Sequence, residues 1–322
     1  MTVTHTKEKP NVICLMGPTA SGKTALAVEL VKRHPFQIIS VDSAQVYRGM
    51  DIGTGKPDQA TLDVAPHWLI DIKDPAEPYS ASDFRSDALQ EIDAVIQTGD
   101  IPLLVGGTML YFKVLRDGLA AMPNADPQVR REIEQLAAEQ GWEAVQQQLS
   151  SVDPESAARI HPNDPQRLQR ALEVYRVAGR SMTELHAEEQ RVGRSTEESL
   201  PVNLHFLAIQ PEDRKLLHGR IEQRFMGMLE AGLVDEVRSL FHRDDLHPLL
   251  PSIKSVGYRQ VWQHLSDEIS YDAMIEKSII ATRQLAKRQL TWLRSWENLR
   301  RVSEPSAKSI DSILNFVDSI SI

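Results

Sequence analysis

The chain has 322 residues, of which 41% are hydrophobic and 25% charged, with a formal net charge of −9. This is ordinary globular usage, which excludes a disordered or fibrous class, and at about 150 residues per domain the length has room for an α/β domain and a smaller companion. The single cysteine, Cys14, lies in an apolar run; it excludes a disulfide framework and a multi-cysteine zinc site, and reads as a buried structural thiol in a reducing cytoplasm. The first ten residues, MTVTHTKEKP, are polar, and no apolar run approaches the roughly 18 residues that cross a bilayer, so no membrane attachment is expected. The acidic total argues against a polyanionic partner, but it is a whole-chain sum and local patches decide binding.

Taken in chain order, NVICLM at 11–16 is a short apolar run bounded by Pro10 and by Gly17-Pro18, which predicts a buried parallel strand. GPTASGKT follows at 17–24, fitting G-x-x-x-x-G-K-[ST], and TALAVELVKRH then has the spacing of a helix on Leu26, Leu30 and Val31. FQIISVDS gives a second strand ending at Asp42, HWLIDI another, a helix is expected over 82–97, and IPLLV at 101–105 gives a strand running into Gly106, Gly107 and Thr108. Strands alternating with helices predict a phosphate-loop α/β fold, a parallel sheet covered by helices on both faces. Ligands of such sheets sit at the carboxyl ends of the strands, so Gly17, Asp42 and Gly106 should converge on one crevice.

From about Ala120 no strand is expected until Val202–Ile209, and helices are predicted near 127–140, 142–150 and 165–177. The expected division is therefore a core of 1–119 and 201–322, with a helical insertion at 120–200. Helices alone are expected after 209.

The loop carries the clearest chemistry. Backbone N–H groups from Thr19 through Ala20, Ser21 and Gly22 to Thr24 would cradle phosphates at the amino end of a helix, while Gly17 and Pro18 set the turn. Lys23 adds a point charge and the Thr24 hydroxyl a magnesium ligand. Asp42 has two readings, a turn or helix cap and a carboxylate facing the phosphate site. A kinase or ATPase with this loop would end a later strand in a second carboxylate for magnesium, whereas IPLLV ends in glycines and Thr108. Two rivals are weighed: a nucleotide or small-molecule kinase, and an RNA-binding protein that uses ATP as a switch.

The segments GPTASGKT, DSAQVYRGMDIGTGKP, LLVGGTMLYFKVL, HPNDPQRLQRALEVY, RIEQRF, SVGYRQ and ATRQLAKRQLTWLR together resemble the bacterial tRNA dimethylallyltransferases. That resemblance implies transfer of the dimethylallyl group of dimethylallyl diphosphate to the exocyclic amine of the adenosine 3′ of the anticodon, with magnesium and without ATP consumption, by a monomer in the cytoplasm. It implies Asp42 as the base, Ser43, Ala44 and Gln45 against the flipped adenine, Thr108 in the reaction channel, and Arg224 with Lys23 on the diphosphate. It places Gln166, Arg167, Leu168, Gln169 and Arg170 against tRNA, with Arg130 a weaker contact. Lys254, Ser255, Val256, Gly257, Tyr258 and Arg259 are placed there too.

The last such segment is Lys287, Arg288, Gln289, Leu290, Thr291, Trp292, Leu293 and Arg294, within a helix whose apolar spacing on Ile275, Ile279, Ala286, Leu290 and Leu293 reads as core packing. Residues 283–301 carry basic side chains at 283, 287, 288, 294, 300 and 301 against one acid at 297, a patch able to meet phosphates. Trp292 and Trp296 either stack on bases or pack in the core, the latter being the simpler reading. The stretch 186–201 is longer and more acidic than the family pattern.

Overall fold

The computed structural model describes residues 9–118, 122–192, 200–211 and 213–320. The chain divides into two compact units, Met1–Leu115 with Pro201–Ile322, and Arg116–Leu200.

In the first unit, β1 (Asn11–Met16), β2 (Phe36–Val41), β3 (His67–Trp68), β4 (Ile101–Gly106), β5 (Asn203–Ile209) and β6 (Arg300–Val302) form one sheet in the order β3-β2-β4-β1-β5-β6. Every pairing is parallel. The apolar runs follow from this: a strand covered on both faces alternates between two cores instead of between core and water. Cys14, Met16, Ile39, Val41 and Leu104 enter one core, and Ile13, Leu15, Ile38, Leu103 and Val105 enter the other. Cys14 is fully buried, which pushes its thiol well above the usual range.

Helices α1 (Lys23–Val31), α2 (Gln59–Val64), α3 (Ala81–Gln97) and α4 (Met109–Asp117) fill the first half of the chain. Ser80 and Asp83 start α3 with a reciprocal capping box. The connection then carries α5 (Pro127–Gln140), α6 (Trp142–Val152), α7 (Pro154–Arg159), α8 (Pro165–Ala178) and α9 (Met182–Val192). Asp126, Asp153 and Asp164 each cap a helix whose first residue is proline, the pattern that needs no N–H there. After β5 come α10 (Arg214–Glu230), α11 (Leu233–Phe241), α12 (Tyr258–Leu265), α13 (Tyr271–Arg294) and α14 (Ala307–Ile320).

Two expectations are corrected. HWLIDI is a strand only at His67–Trp68, because Leu69 and Asp71 take left-handed backbone (φ 62° and 56°) and turn the chain out of the sheet. Helices do not fill the carboxyl end alone: Arg300–Val302 pairs with Leu207–Ile209 as the sixth strand, too short for a sequence signal, and α14 buries Ile310, Ile313 and Val317 in the core beneath α1. The long acidic stretch 186–201 lies partly outside the described residues, at 193–199.

The helical unit has its own core around Ile133, Val145, Leu149, Leu168 and Leu172, and two buried carboxylates, Asp153 and Glu173. Glu173, on α8, has no exposed side-chain surface and accepts from Arg130 Nε at 2.8 Å, Arg170 Nη1 at 2.7 Å and the Asp126 N–H at 2.9 Å. Burial pushes its carboxyl up, but these partners outweigh burial and hold it below the usual carboxylate range. Removing the carboxylate strands two guanidiniums. Glu173→Ala is therefore expected to cost the helical unit about 3 kcal/mol, at the low end for a broken buried pair because both arginines keep some water, measured as a lower urea midpoint with an unchanged slope.

Candidate functional site

At the end of β1 the chain turns through Ala20 and Gly22, both with left-handed backbone (φ 60° and 86°), before α1 begins at Lys23. This folds successive amides toward one point, as an anion cradle requires. Not every N–H from Thr19 to Thr24 is free for a ligand, which corrects the sequence expectation: Thr19 donates to Gln289 Oε1 at 2.9 Å, and Ser21 to the Pro18 carbonyl at 3.3 Å. Those of Ala20, Gly22, Lys23 and Thr24 have no partner among the described residues. Gly17 donates to the Gly106 carbonyl at 3.3 Å, tying the loop to the end of β4.

Asp42 follows β2 directly, and both of its readings describe the same side chain. Oδ1 accepts from the N–H of Ala44 (2.9 Å) and Gln45 (3.4 Å), capping the turn. Oδ2 carries no hydrogen bond among the described residues, and Asp42 lines the cavity together with Lys23. The Thr108 N–H donates to the Val41 carbonyl at 3.2 Å, and its hydroxyl accepts from the Ser43 N–H at 3.1 Å. Thr108 thus braces both neighbours of Asp42. Gln45 is held inside the protein, its Oε1 accepting from Ser40 Oγ (2.9 Å) and its Nε2 donating to the Gly55 carbonyl (3.3 Å).

The loop Asp51–Pro57 forms another wall. Glu236, on α11, accepts from three consecutive N–H groups, Asp51 (2.9 Å), Ile52 (2.7 Å) and Gly53 (3.1 Å), and from the Tyr258 hydroxyl at 2.5 Å. Burial and then the Glu236 charge push the Tyr258 phenol far up, so it stays a donor. Arg224, on α10, lies against Gly55: a Cβ there would overlap the guanidinium, and the glycine φ of 61° already disfavours a side chain.

These elements enclose a cavity of about 980 Å³, within the first unit. Lys23, Arg220, Arg224, Lys254 and Arg288 line it, five cations against the single carboxylate of Asp42, with His67 at its side. An acidic chain therefore holds a basic cavity. Removal from bulk water lowers the Lys23 pKa to about 8, against the upward pull of Asp42, with Arg224 lowering it further. Burial also lowers Arg224, with Asp42 opposing.

The Lys23 shift has a measurable sign. In the free protein Lys23 loses its proton as pH rises through about 8, and an incoming diphosphate favours the charged form, so binding must take up a proton above that pH. Calorimetry of inorganic diphosphate binding at pH 9, in buffers of different ionisation enthalpy, should show uptake approaching one proton, and none in Lys23→Met. Zero uptake in both would return Lys23 to an ordinary pKa.

The segments expected at tRNA are only partly surface. Lys254 and Arg259 are exposed, whereas Gly257 and Tyr258 are buried. On α13, Lys287, Arg288, Thr291 and Arg294 are exposed, but Leu290 and Leu293 are core side chains (7% and 0% exposed), and Gln289 is turned inward. Arg283, expected beside them, pairs with Glu222 at 2.9 Å. Trp292 is 37% exposed on the cavity rim, while Trp296 lies beyond the end of α13 and packs on Phe206 with ring centroids 5.1 Å apart. In the helical unit, Gln166 and Arg167 are exposed, Leu168 is fully buried, Gln169 donates to Glu134 at 2.9 Å, and Arg130 and Arg170 hold Glu173. A side-chain contact to RNA from Leu168, Leu290 or Leu293 is thereby corrected, since their surface is spent in the cores. Sequence reading missed Arg220, Glu236 and His67, and the inward bonds of Gln289. Arg220, the first residue of RIEQRF, was the one usable signal, standing four positions, about one turn, before Arg224 on the same helical face.

Among the described residues no cluster of three His, Cys, Asp or Glu side chains could hold a metal, and no helix is long and apolar enough to cross a membrane.

A protein-family model described as IPP transferase matches residues 45–296. Among solved structures, the full-length tRNA isopentenylpyrophosphate transferase of Bacillus halodurans is 35% identical, with 97% of this chain and 96% of that one covered and a TM-score of 0.69. The tRNA delta(2)-isopentenylpyrophosphate transferase of Staphylococcus epidermidis is 31% identical, covering 97% and 99% with a TM-score of 0.69. A eukaryotic dimethylallyltransferase acting on tRNA is 25% identical, covering 93% and 75% with a TM-score of 0.73. With its phosphate loop, its basic cavity and this match over most of its length, the chain belongs to the IPP transferase family.

Proposed function

We propose that the cavity transfers the dimethylallyl group of dimethylallyl diphosphate to the exocyclic amine of the tRNA adenosine next to the anticodon. One observation carries the reading: the phosphate loop and Asp42 meet in a cavity whose other charges are all cationic. A polyanionic acceptor and a diphosphate suit such a lining, and a single carboxylate suits a reaction that must remove one proton.

The free amides of the loop, Lys23 and Arg224 stabilise the charge that develops on the diphosphate as the allylic C–O bond breaks. The amine nitrogen forms the new C–N bond, and Asp42 Oδ2 accepts its proton as attack proceeds. The adenosine must leave its stack to reach Asp42; Ser43, Ala44 and Gln45 line the cavity beside that carboxylate. The Thr24 hydroxyl, which makes no hydrogen bond among the described residues, would hold a magnesium ion, whose chemistry when bound is to neutralise the leaving diphosphate. Lys254, Arg259, Lys287, Arg288 and Arg294, with Gln166 and Arg167 in the helical unit, are the exposed groups offered to RNA phosphates.

Purified protein given dimethylallyl diphosphate, magnesium and unmodified tRNA should add five carbons to one adenosine, read by mass spectrometry of the digested nucleosides. ATP hydrolysis with no alkylated adenosine would sink the reading in favour of a kinase or an ATP switch.

A further inference from the structure

Gln289 is 8% exposed and uses both ends of its amide. Oε1 accepts the Thr19 N–H at 2.9 Å, and Nε2 donates to the Gly107 carbonyl at 2.9 Å. A Cβ at Gly107 would collide with that amide, so the glycine is what lets it approach. Thr19 opens the phosphate loop, and Gly107 leads into Thr108, whose bonds to Val41 and Ser43 bracket Asp42. The same helix presents Thr282, Leu285, Arg288 and Trp292 to the cavity, a stripe one face wide, with Arg288 adjacent to Gln289 and Trp292 one turn beyond. One buried amide therefore joins the loop for the donor, the turn beside the base and the helix that meets the acceptor.

Resting on the proposed reaction, we propose that Gln289 is a positioning residue that couples the two substrate sites: engagement of Arg288 and Trp292 by RNA fixes α13, and through Gln289 fixes the phosphate loop and the Gly107 turn. By linkage the effect is reciprocal, so each ligand raises affinity for the other by the same factor, within the roughly 5–150-fold range of such couplings.

The test uses the full chain with tRNA and inorganic diphosphate plus magnesium as probes. Each affinity is measured alone and with the other ligand saturating, together with thermal unfolding midpoints. Wild type is expected to show mutual enhancement of roughly tenfold. Gln289→Leu, which loses both bonds, and Gln289→Glu, which keeps the acceptor for Thr19 and loses the donor to Gly107, should bring the enhancement below twofold. A loop that was merely weakened would lower diphosphate affinity and leave that ratio intact. Enhancement retained in a folded variant overturns the proposal, as does a wild type that binds both ligands independently; if the Leu variant does not fold, the Glu variant decides. Failure of wild type to bind one of the ligands at all overturns the proposed function instead.

Discussion

Replacing Asp42 by Asn is expected to lower turnover by about 10²–10⁴-fold, the span of a positioned general base, with tRNA affinity held within about threefold. The amide keeps an oxygen in place of Oδ1, so the turn bonds from Ala44 and Gln45 survive and the cap is preserved. What disappears is the capacity at Oδ2 to take a proton. The comparison uses single-turnover rates at saturating tRNA and tRNA affinity from filter binding. Loss of tRNA binding at unchanged turnover would reduce Asp42 to a cap.

The second large effect is at Arg224. Arg224→Gln should lower kcat by about 10²–10³-fold, the usual consequence of losing one preorganised donor to a developing anion, and Gly55→Ala should approach it without touching the arginine. A methyl at residue 55 claims the space of the guanidinium and must also adopt φ 61°. It displaces the cation or lifts the loop from Glu236. A Gly55→Ala protein with wild-type kcat would show that Arg224 acts from another position.

The parallel sheet, the phosphate loop and the convergence of Gly17, Asp42 and Gly106 were all legible, because each rests on a local pattern: a buried run, a fixed glycine spacing, the polar residue after a strand. The rest depends on contacts between distant segments. Glu236 reaches back to Asp51, and Gln289 to Thr19 and Gly107; no spacing announces a carboxylate that binds three amides far away in the chain. Helical spacing also stopped short at the tryptophans, since α13 ends at Arg294, between them in effect, and Trp292 faces the rim while Trp296 is buried. Motif segments do not resolve faces either. The stretch 166–170 contains a core leucine and an arginine bound to Glu173 beside two exposed polar groups, because a helix laid on a core must alternate them.

The fully buried Cys14 has a practical consequence. It is the only cysteine in the chain, sits in the central strand without exposed surface, and its thiolate is disfavoured by burial, so maleimides and other alkylating reagents have no native target in the folded protein. A cysteine placed at an exposed position such as Arg167 or Lys287 would thus take a fluorophore selectively, with no background mutation of the wild-type thiol, and would make the approach of tRNA to each unit directly observable.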